Sequence, residues 1–279
     1  MSALREAVLL EMRLRGFSPR THESYIFAIE ALVRWRRRPP ETLTCAEVQA
    51  FLDELITVRK LAWATVNVYF SAYRFLYEQV LKRKPHEFSI PPRGRSRTRP
   101  GVFSPEETMR LIETPHNVKH RALLSLVYGS GLRVSEVVLV QPVDVDRGRM
   151  MLKVSGKGHK QRYTILAHHS LRLLEEHWRA HRPTSYFFFG RDRSAPMAIG
   201  TAQAIYYQAM KRSGVRNLGG IHTLRHCFAS HAIHNGHDIF AIKRWLGHTA
   251  LATTGRYMHL VPGALSKVVS PLDMSYRKE

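Results

Sequence analysis

Residues His222 to Tyr257 read HTLRHCFASHAIHNGHDIFAIKRWLGHTALATTGRY, and the reading of the chain starts from them. On a helix opening at about Thr223, His222 and Arg225 share one face, while Leu224, Cys227, Phe228 and Ala232 fall on a roughly opposite stripe. The apolar stripe is expected in the core and the His/Arg pair at a cleft. Asp238 is the expected N-cap of a second helix, with Ile239, Ile242, Trp245 and Leu246 inward and Gly247 as its stop. His248 is the first residue past that stop. A short third segment from Thr249 then delivers Tyr257, so two imidazoles, a guanidinium and a phenol are expected to converge.

Those residue types suit phosphoryl transfer without a metal. Arginine offers a fork of donors matching two phosphate oxygens, histidine relays a proton near neutral pH, and tyrosine can act as a covalent nucleophile. A solitary His-x-x-Arg is more often a core-edge histidine beside a surface arginine, so the rest of the chain has to add weight. His222 and His226 have the spacing of a zinc-binding helix, but Thr223 stands where a metalloprotease glutamate belongs and Arg225 would set a cation beside the metal. No metal site is expected. His226, His231, His234 and His237 are read as surface or helix-edge residues.

Charge supplies some of the missing weight. The 279 residues carry 43 Lys+Arg against 22 Asp+Glu, a net +21, with 18 basic and 10 acidic residues in the first hundred. Both halves are therefore basic, as a clamp on a polyanion requires, because each neutralised DNA phosphate releases counterions. Cys45 and Cys227 cannot build a disulfide scaffold or thiolate metal site by themselves and read as free thiols in a reducing compartment. No signal-peptide core or long apolar run is apparent, so a soluble, cytoplasmic protein without a membrane partner is expected.

In chain order, Leu4, Val8, Leu9 and Met12 mark a first helix. Ser18-Pro19 opens a second, with Tyr25, Ile29, Leu32 and Val33 inward, that ends in Arg34 and Arg36 to Arg38. Thr44 caps a third, and a fourth runs from Ala64 or Thr65 to Val80. Four helices without a strand pattern predict a helical bundle over 1–84. A basic, proline-bearing connector follows over 85–101, and a second domain over 102–279. There Ser104-Pro105 starts a helix, 120–128 is buried, and Gly129-Ser130-Gly131 breaks the chain before Leu132 to Glu136. Arg133 thus falls at a helix N-terminus. Met150 to Val154 and Tyr163 to Leu166 predict a β-hairpin whose tip holds Lys157, and Phe187 to Phe189 a short buried strand. Further helices are expected over 168–182 and from Thr201 to Ser213.

The ordered set GLRVSE, GKGHKQR, HTLRH, LGH and TTGRYMH over 102–260 resembles the tyrosine recombinases, the Xer-type recombinases and phage integrases. The N-terminal unit is similar to that family's SAM-like core-binding domain. Cys227 departs from the family's usual small hydroxyl residue, and no helical insert of the integron type precedes His222. The resemblance implies a mainly α fold with a small antiparallel β-sheet. It also implies site-specific cleavage and rejoining of double-stranded DNA through a 3′-phosphotyrosine, without metal, ATP or other cofactor. The implied catalytic residues are Arg133, Lys157, His222, Arg225, His248 and Tyr257, with Glu136 orienting Arg133. Arg93, Arg95, Arg97, Lys160 and Arg162 are the expected DNA contacts. A homo-tetramer on paired sites is implied, compatible with a monomer off DNA. The apolar tail beyond Tyr257 would dock on a neighbouring copy or on its own domain. Relaxation of a single duplex, as by a type IB topoisomerase, and plain DNA binding are the alternatives.

Overall fold

The computed structural model describes residues 2–83, 88–92, 101–156 and 161–247. The chain divides into two compact units, Met1–Thr98 and Arg99–Glu279.

In the first unit, helices α1 (Ser2–Leu14), α2 (Pro19–Arg36), α3 (Cys45–Thr57) and α4 (Trp63–Arg74) form the expected bundle, and α4 runs on into a π-helical turn, Phe75–Val80. Their boundaries follow from local chemistry. The Ser18 hydroxyl accepts from the Thr21 amide at 3.3 Å with Pro19 in the first turn, and Arg37 ends α2 in a left-handed conformation. Thr44 and Glu47 close a reciprocal capping box on α3, at 3.2 and 2.9 Å. Val8, Met12, Ile29, Leu32, Phe51, Leu52, Leu55, Tyr73 and Leu76 fill the core. Two of the buried phenols are paired to backbone, Tyr73 donating to the Ala28 carbonyl and Tyr77 to that of Pro40.

The second unit is helical around a three-stranded antiparallel sheet. Its elements are α5 (Pro105–Glu113), α6 (Val118–Gly129), the four-residue α7 (Val134–Val137), β1 (Val145–Asp146), β2 (Met151–Ser155), β3 (Gln161–Ile165), α8 (His168–His181), α9 (Ile199–Ser213), α10 (His222–His234) and α11 (Ile239–Leu246). The hairpin pairs Leu152 with Thr164 and Val154 with Arg162, and β1 adds a short third strand that the sequence reading missed. Ala122 to Val127 of α6 lie in the core against α8 and α10, and α11 lies along β3. Asp238 caps α11 through the Ala241 amide, and Gly247 ends it at φ 63°.

Phe187 to Phe189 are buried as expected, but they do not form a strand. Their backbone groups pair in three directions. The Phe187 amide donates to Val140, the Phe187 carbonyl accepts from His177 Nε2, and the Phe188 carbonyl accepts from Met197. A single bridge joins Phe189 to Pro196, which has no N–H with which to extend a ladder.

Candidate functional site

α10 carries the central side chains because most of its surface is enclosed. Leu224, Cys227, Phe228 and Ala232 are buried as the stripe predicts, and so are Thr223, Arg225 and Ser230. Arg225 is the difference from expectation: it is 2% exposed rather than facing an open cleft. Its Nη1 donates to the Gly131 carbonyl at 2.6 Å and its Nη2 to the Leu246 carbonyl at 2.7 Å. The second of these is a carbonyl in the last turn of α11, where intrahelical donors run out and a cation is favoured by the helix dipole.

The receiving loop has little room. Gly131 sits at φ 63°, and a Cβ there would meet Phe228 Cδ1 at 2.5 Å and Leu246 Cδ2 at 2.9 Å. Glycine is the residue that allows this approach. The Thr164 hydroxyl, on β3, donates to the neighbouring Ser130 carbonyl at 2.9 Å, so the loop is braced from the sheet as well as from α10.

Glu136 lies at the centre of the cluster and is 5% exposed. One carboxylate oxygen accepts from the Arg133 amide at 2.8 Å, and the other from Arg133 Nη1 at 2.8 Å. Arg162 meets the same carboxylate end-on, Nη1 and Nη2 donating at 2.8 and 2.9 Å. Arg225 Nη1 stands 3.7 Å away. Burial pushes the Glu136 carboxyl up, but the Arg162 hydrogen bonds, the Arg133 amide and the two guanidinium charges overcome it and hold its pKa at about 2. An isolated buried carboxylate would be costly; here it is compensated by bidentate geometry. The N-terminus of α7, where the sequence places Arg133, is occupied by the Glu136 carboxylate itself.

The placement of Arg162 corrects the expectation that it faces DNA. Only 12% of its side chain is exposed, and its Nε donates to the Trp245 carbonyl at 2.8 Å, beside the two bonds to Glu136. The two-residue strand period explains this: Arg162 shares a face with Thr164, opposite buried Val154 and Leu152, whereas Tyr163 points outward. Thr164 and Leu166 were the signal in the sequence that could have revealed it.

His222 is the first residue of α10 and keeps an exposed face. Partial burial, then the charges of Arg225 and Arg133, push its imidazole below the ordinary histidine range. His231, expected at a helix edge, instead links three segments. Its Nε2 donates to the Phe103 carbonyl at 3.0 Å, and its Nδ1, neutral, accepts from the Tyr128 hydroxyl at 2.9 Å. Burial lowers its pKa in keeping with that tautomer. The Phe103 amide in turn donates to the Cys227 thiol at 3.3 Å, a contact that the family's usual hydroxyl residue could also accept.

The structure thus brings Arg133, Glu136, Arg162 and Arg225 into one contact network, with His222 three residues from Arg225 on α10. Three guanidinium groups against one carboxylate leave a positive excess suited to a phosphate. Lys157, Lys160, His248, Tyr257, the connector arginines Arg93, Arg95 and Arg97, and the apolar tail lie outside the described residues.

Comparisons with known proteins agree with this architecture. Residues 4–87 match the phage integrase N-terminal SAM-like domain, and residues 102–263 match the phage integrase family. A putative integrase/recombinase of Sinorhizobium fredii, y4qK, is 31% identical, over 98% of this chain and 90% of that protein. The tyrosine recombinase XerD of Corynebacterium glutamicum is 27% identical, over 91% and 92%. Among solved structures, the Tn1549 transposon integrase with transposon right-end DNA superposes with a TM-score of 0.69 at 13% identity, covering 99% and 98%. A lambda integrase dimer on a core site gives 0.68 at 18%, covering 91% and 96%. At those identities the likeness speaks to the fold: a helical SAM-like unit followed by a helical unit with a small antiparallel sheet. With both halves matched and a relative aligned over nearly the whole length, the chain belongs to the phage integrase family, the tyrosine recombinases.

Proposed function

We propose that this chain is a site-specific DNA recombinase that cuts and reseals DNA through a 3′-phosphotyrosyl intermediate, without metal or ATP. Tyr257 Oη attacks a backbone phosphorus, the bond from phosphorus to the 5′-oxygen breaks, and the tyrosine proton passes to His222. Lys157 protonates the departing 5′-oxygen. Arg133 and Arg225 hold the non-bridging oxygens as charge builds, an electrostatic contribution on the order of a few kcal/mol per donor, and His248 donates to one of them. Attack by a second 5′-hydroxyl on the phosphotyrosine reverses the sequence, so the energy of the cut bond is retained and no nucleotide is consumed.

The observation that carries this reading is that Arg133 and Arg225 meet one buried carboxylate, at 2.8 and 3.7 Å, beside a histidine held toward its neutral form. Two grips fixed before substrate arrives are what transition-state stabilisation needs, since no reorganisation accompanies the reaction. The family's activity is DNA strand transfer, and the positive charge of both halves suits a duplex partner. Arg93, Arg95 and Arg97, together with Lys160 between β2 and β3 in sequence, supply further phosphate contacts. Recombination of paired sites requires a tetramer, formed in the cytoplasm on the nucleoid.

A duplex selected from a randomised pool by the protein, then nicked beside the cleavage point, traps the intermediate. A covalent adduct from the unaltered chain and none from Tyr257→Phe is the expected result. Joining between two duplexes separates recombination from relaxation of one. Absence of adduct on every selected duplex would defeat the reading and leave a DNA-binding module.

A further inference from the structure

We propose that Arg162 is a positioning residue of the cleavage site, clamping Glu136 so that this carboxylate presents Arg133 and stays tied to the end of α11. The inference rests on the strand-cleavage reading above.

Three observations carry it. The guanidinium of Arg162 makes a bidentate pair with Glu136 at 2.8 and 2.9 Å, the same carboxylate that orders Arg133 through both its amide and its side chain. Its third donor, Nε, binds the Trp245 carbonyl at 2.8 Å, one residue before the Leu246 carbonyl that Arg225 holds. Its aliphatic stem is packed too closely to be incidental. Gly247, at φ 63°, would place a Cβ 2.9 Å from Arg162 Cδ, so the turn that ends α11 is shaped around this side chain.

One side chain therefore joins three parts of the site: strand β3, Glu136 with the Arg133 that it orders, and the helix end after which His248 follows in sequence. With three of its donors committed internally, Arg162 acts on the reaction through Glu136. Among the described residues, the charged or titratable groups that face Glu136 are Arg133 from the α7 loop, Arg162 from β3, and Arg225 and His222 from α10. Removing Arg162 withdraws the strongest stabiliser of the ionised carboxylate and lets burial raise its pKa.

The test compares the full chain with Arg162→Gln, Arg162→Lys, Glu136→Gln and the double Arg162→Gln/Glu136→Gln, on one selected duplex. Expected for Arg162→Gln is cleavage slowed on the order of 100-fold at saturating DNA, the scale of a misplacement near 1 Å. Its affinity for the intact duplex should stay within about threefold, with the same salt dependence. The pH profile of cleavage falls more steeply on its acid side than that of the unaltered chain, because uptake of a proton by Glu136 adds to that by His222. The double variant cleaves no more slowly than Glu136→Gln, because both changes act on one contact.

A weakened affinity with a salt slope lower by about one, and normal cleavage once DNA is saturating, would make Arg162 a phosphate ligand and overturn the proposal. Multiplying losses in the double variant would overturn it as well. If Arg162→Gln does not fold, Arg162→Lys carries the comparison: it keeps the charge but not the fork, so cleavage at the unaltered rate counts against the proposal. No adduct from the unaltered chain removes the strand-cleavage reading together with this one. An adduct formed at full rate by Arg162→Gln removes this one alone.

Discussion

Arg225 donates to the carbonyl of Gly131 across 2.6 Å, from the first turn of α10 to the loop that precedes Arg133. The backbone of one motif is thereby held by the side chain of another, and the contact depends on a residue without a Cβ. Gly131→Ala would force a methyl group to within 2.5 Å of Phe228 and strain a backbone at φ 63°. Overpacking and left-handed strain together are expected to cost about 2–4 kcal/mol. Thermal unfolding should show the loss, and adduct formation should fall further than stability alone explains, because Arg225 moves with the loop.

Glu136 makes acid stability readable. Its folded pKa of about 2 lies below the ordinary 4.5, so its contribution is complete above 4.5. As pH falls from 4.5 towards 2 the unfolded chain takes up the proton first, and the contribution is lost. The shift corresponds to about 3 kcal/mol. Urea unfolding of Glu136→Gln should show a deficit of that order at pH 7, narrowing steadily below pH 4.5. A gap independent of pH would mean that packing, not charge, is what the carboxylate provides.

His222 predicts the acid side of the reaction itself. Burial and the charges of Arg225 and Arg133 depress its pKa from 6.5, so the neutral imidazole, the form able to take the tyrosine proton, persists below that value. Single-turnover adduct formation should stay level from pH 8 through 6.5 and decline only below it. A midpoint above 6.5 would show that the group is instead held in its charged form.

His231 is expected to matter for stability rather than for chemistry. His231→Phe keeps the volume but leaves the Tyr128 hydroxyl and the Phe103 carbonyl without their shared partner, at a cost of about 1–3 kcal/mol. Hydrogen exchange should accelerate first around 102–104, where the chain enters the second unit. An unchanged exchange pattern there would mean that Cys227 and the core hold the segment unaided.

Much of this was legible because local chemistry sets element ends. Ser18, Thr44, Ser104, Asp238 and Gly247 each cap or stop a helix as their residue types require, and the apolar stripe of α10 is buried as its spacing indicates. Contacts between distant segments were less visible. Nothing near Arg225 in sequence announces that Gly131 and Leu246 will accept from it, and the run of three phenylalanines carries no periodicity to tell a strand from an irregular buried segment. Arg162 was misplaced for a different reason. A long cationic side chain in a basic protein was assigned to solvent on its type, although the alternation through Thr164 and Leu166 turns it inward.

The two arginines fastened to the last carbonyls of α11 have a consequence for fidelity. Arg225, with two of its five N–H groups bound to backbone and its chain enclosed, has no freedom to swing after a passing anion. On the recombinase reading, a phosphate displaced by part of the roughly 3.4 Å repeat along a strand would miss this grip, whereas a slip of one whole step would bring an equivalent phosphate to it. Stiffness of the grip would then reject partial misalignment, and the choice among successive phosphates would fall to contacts with the bases.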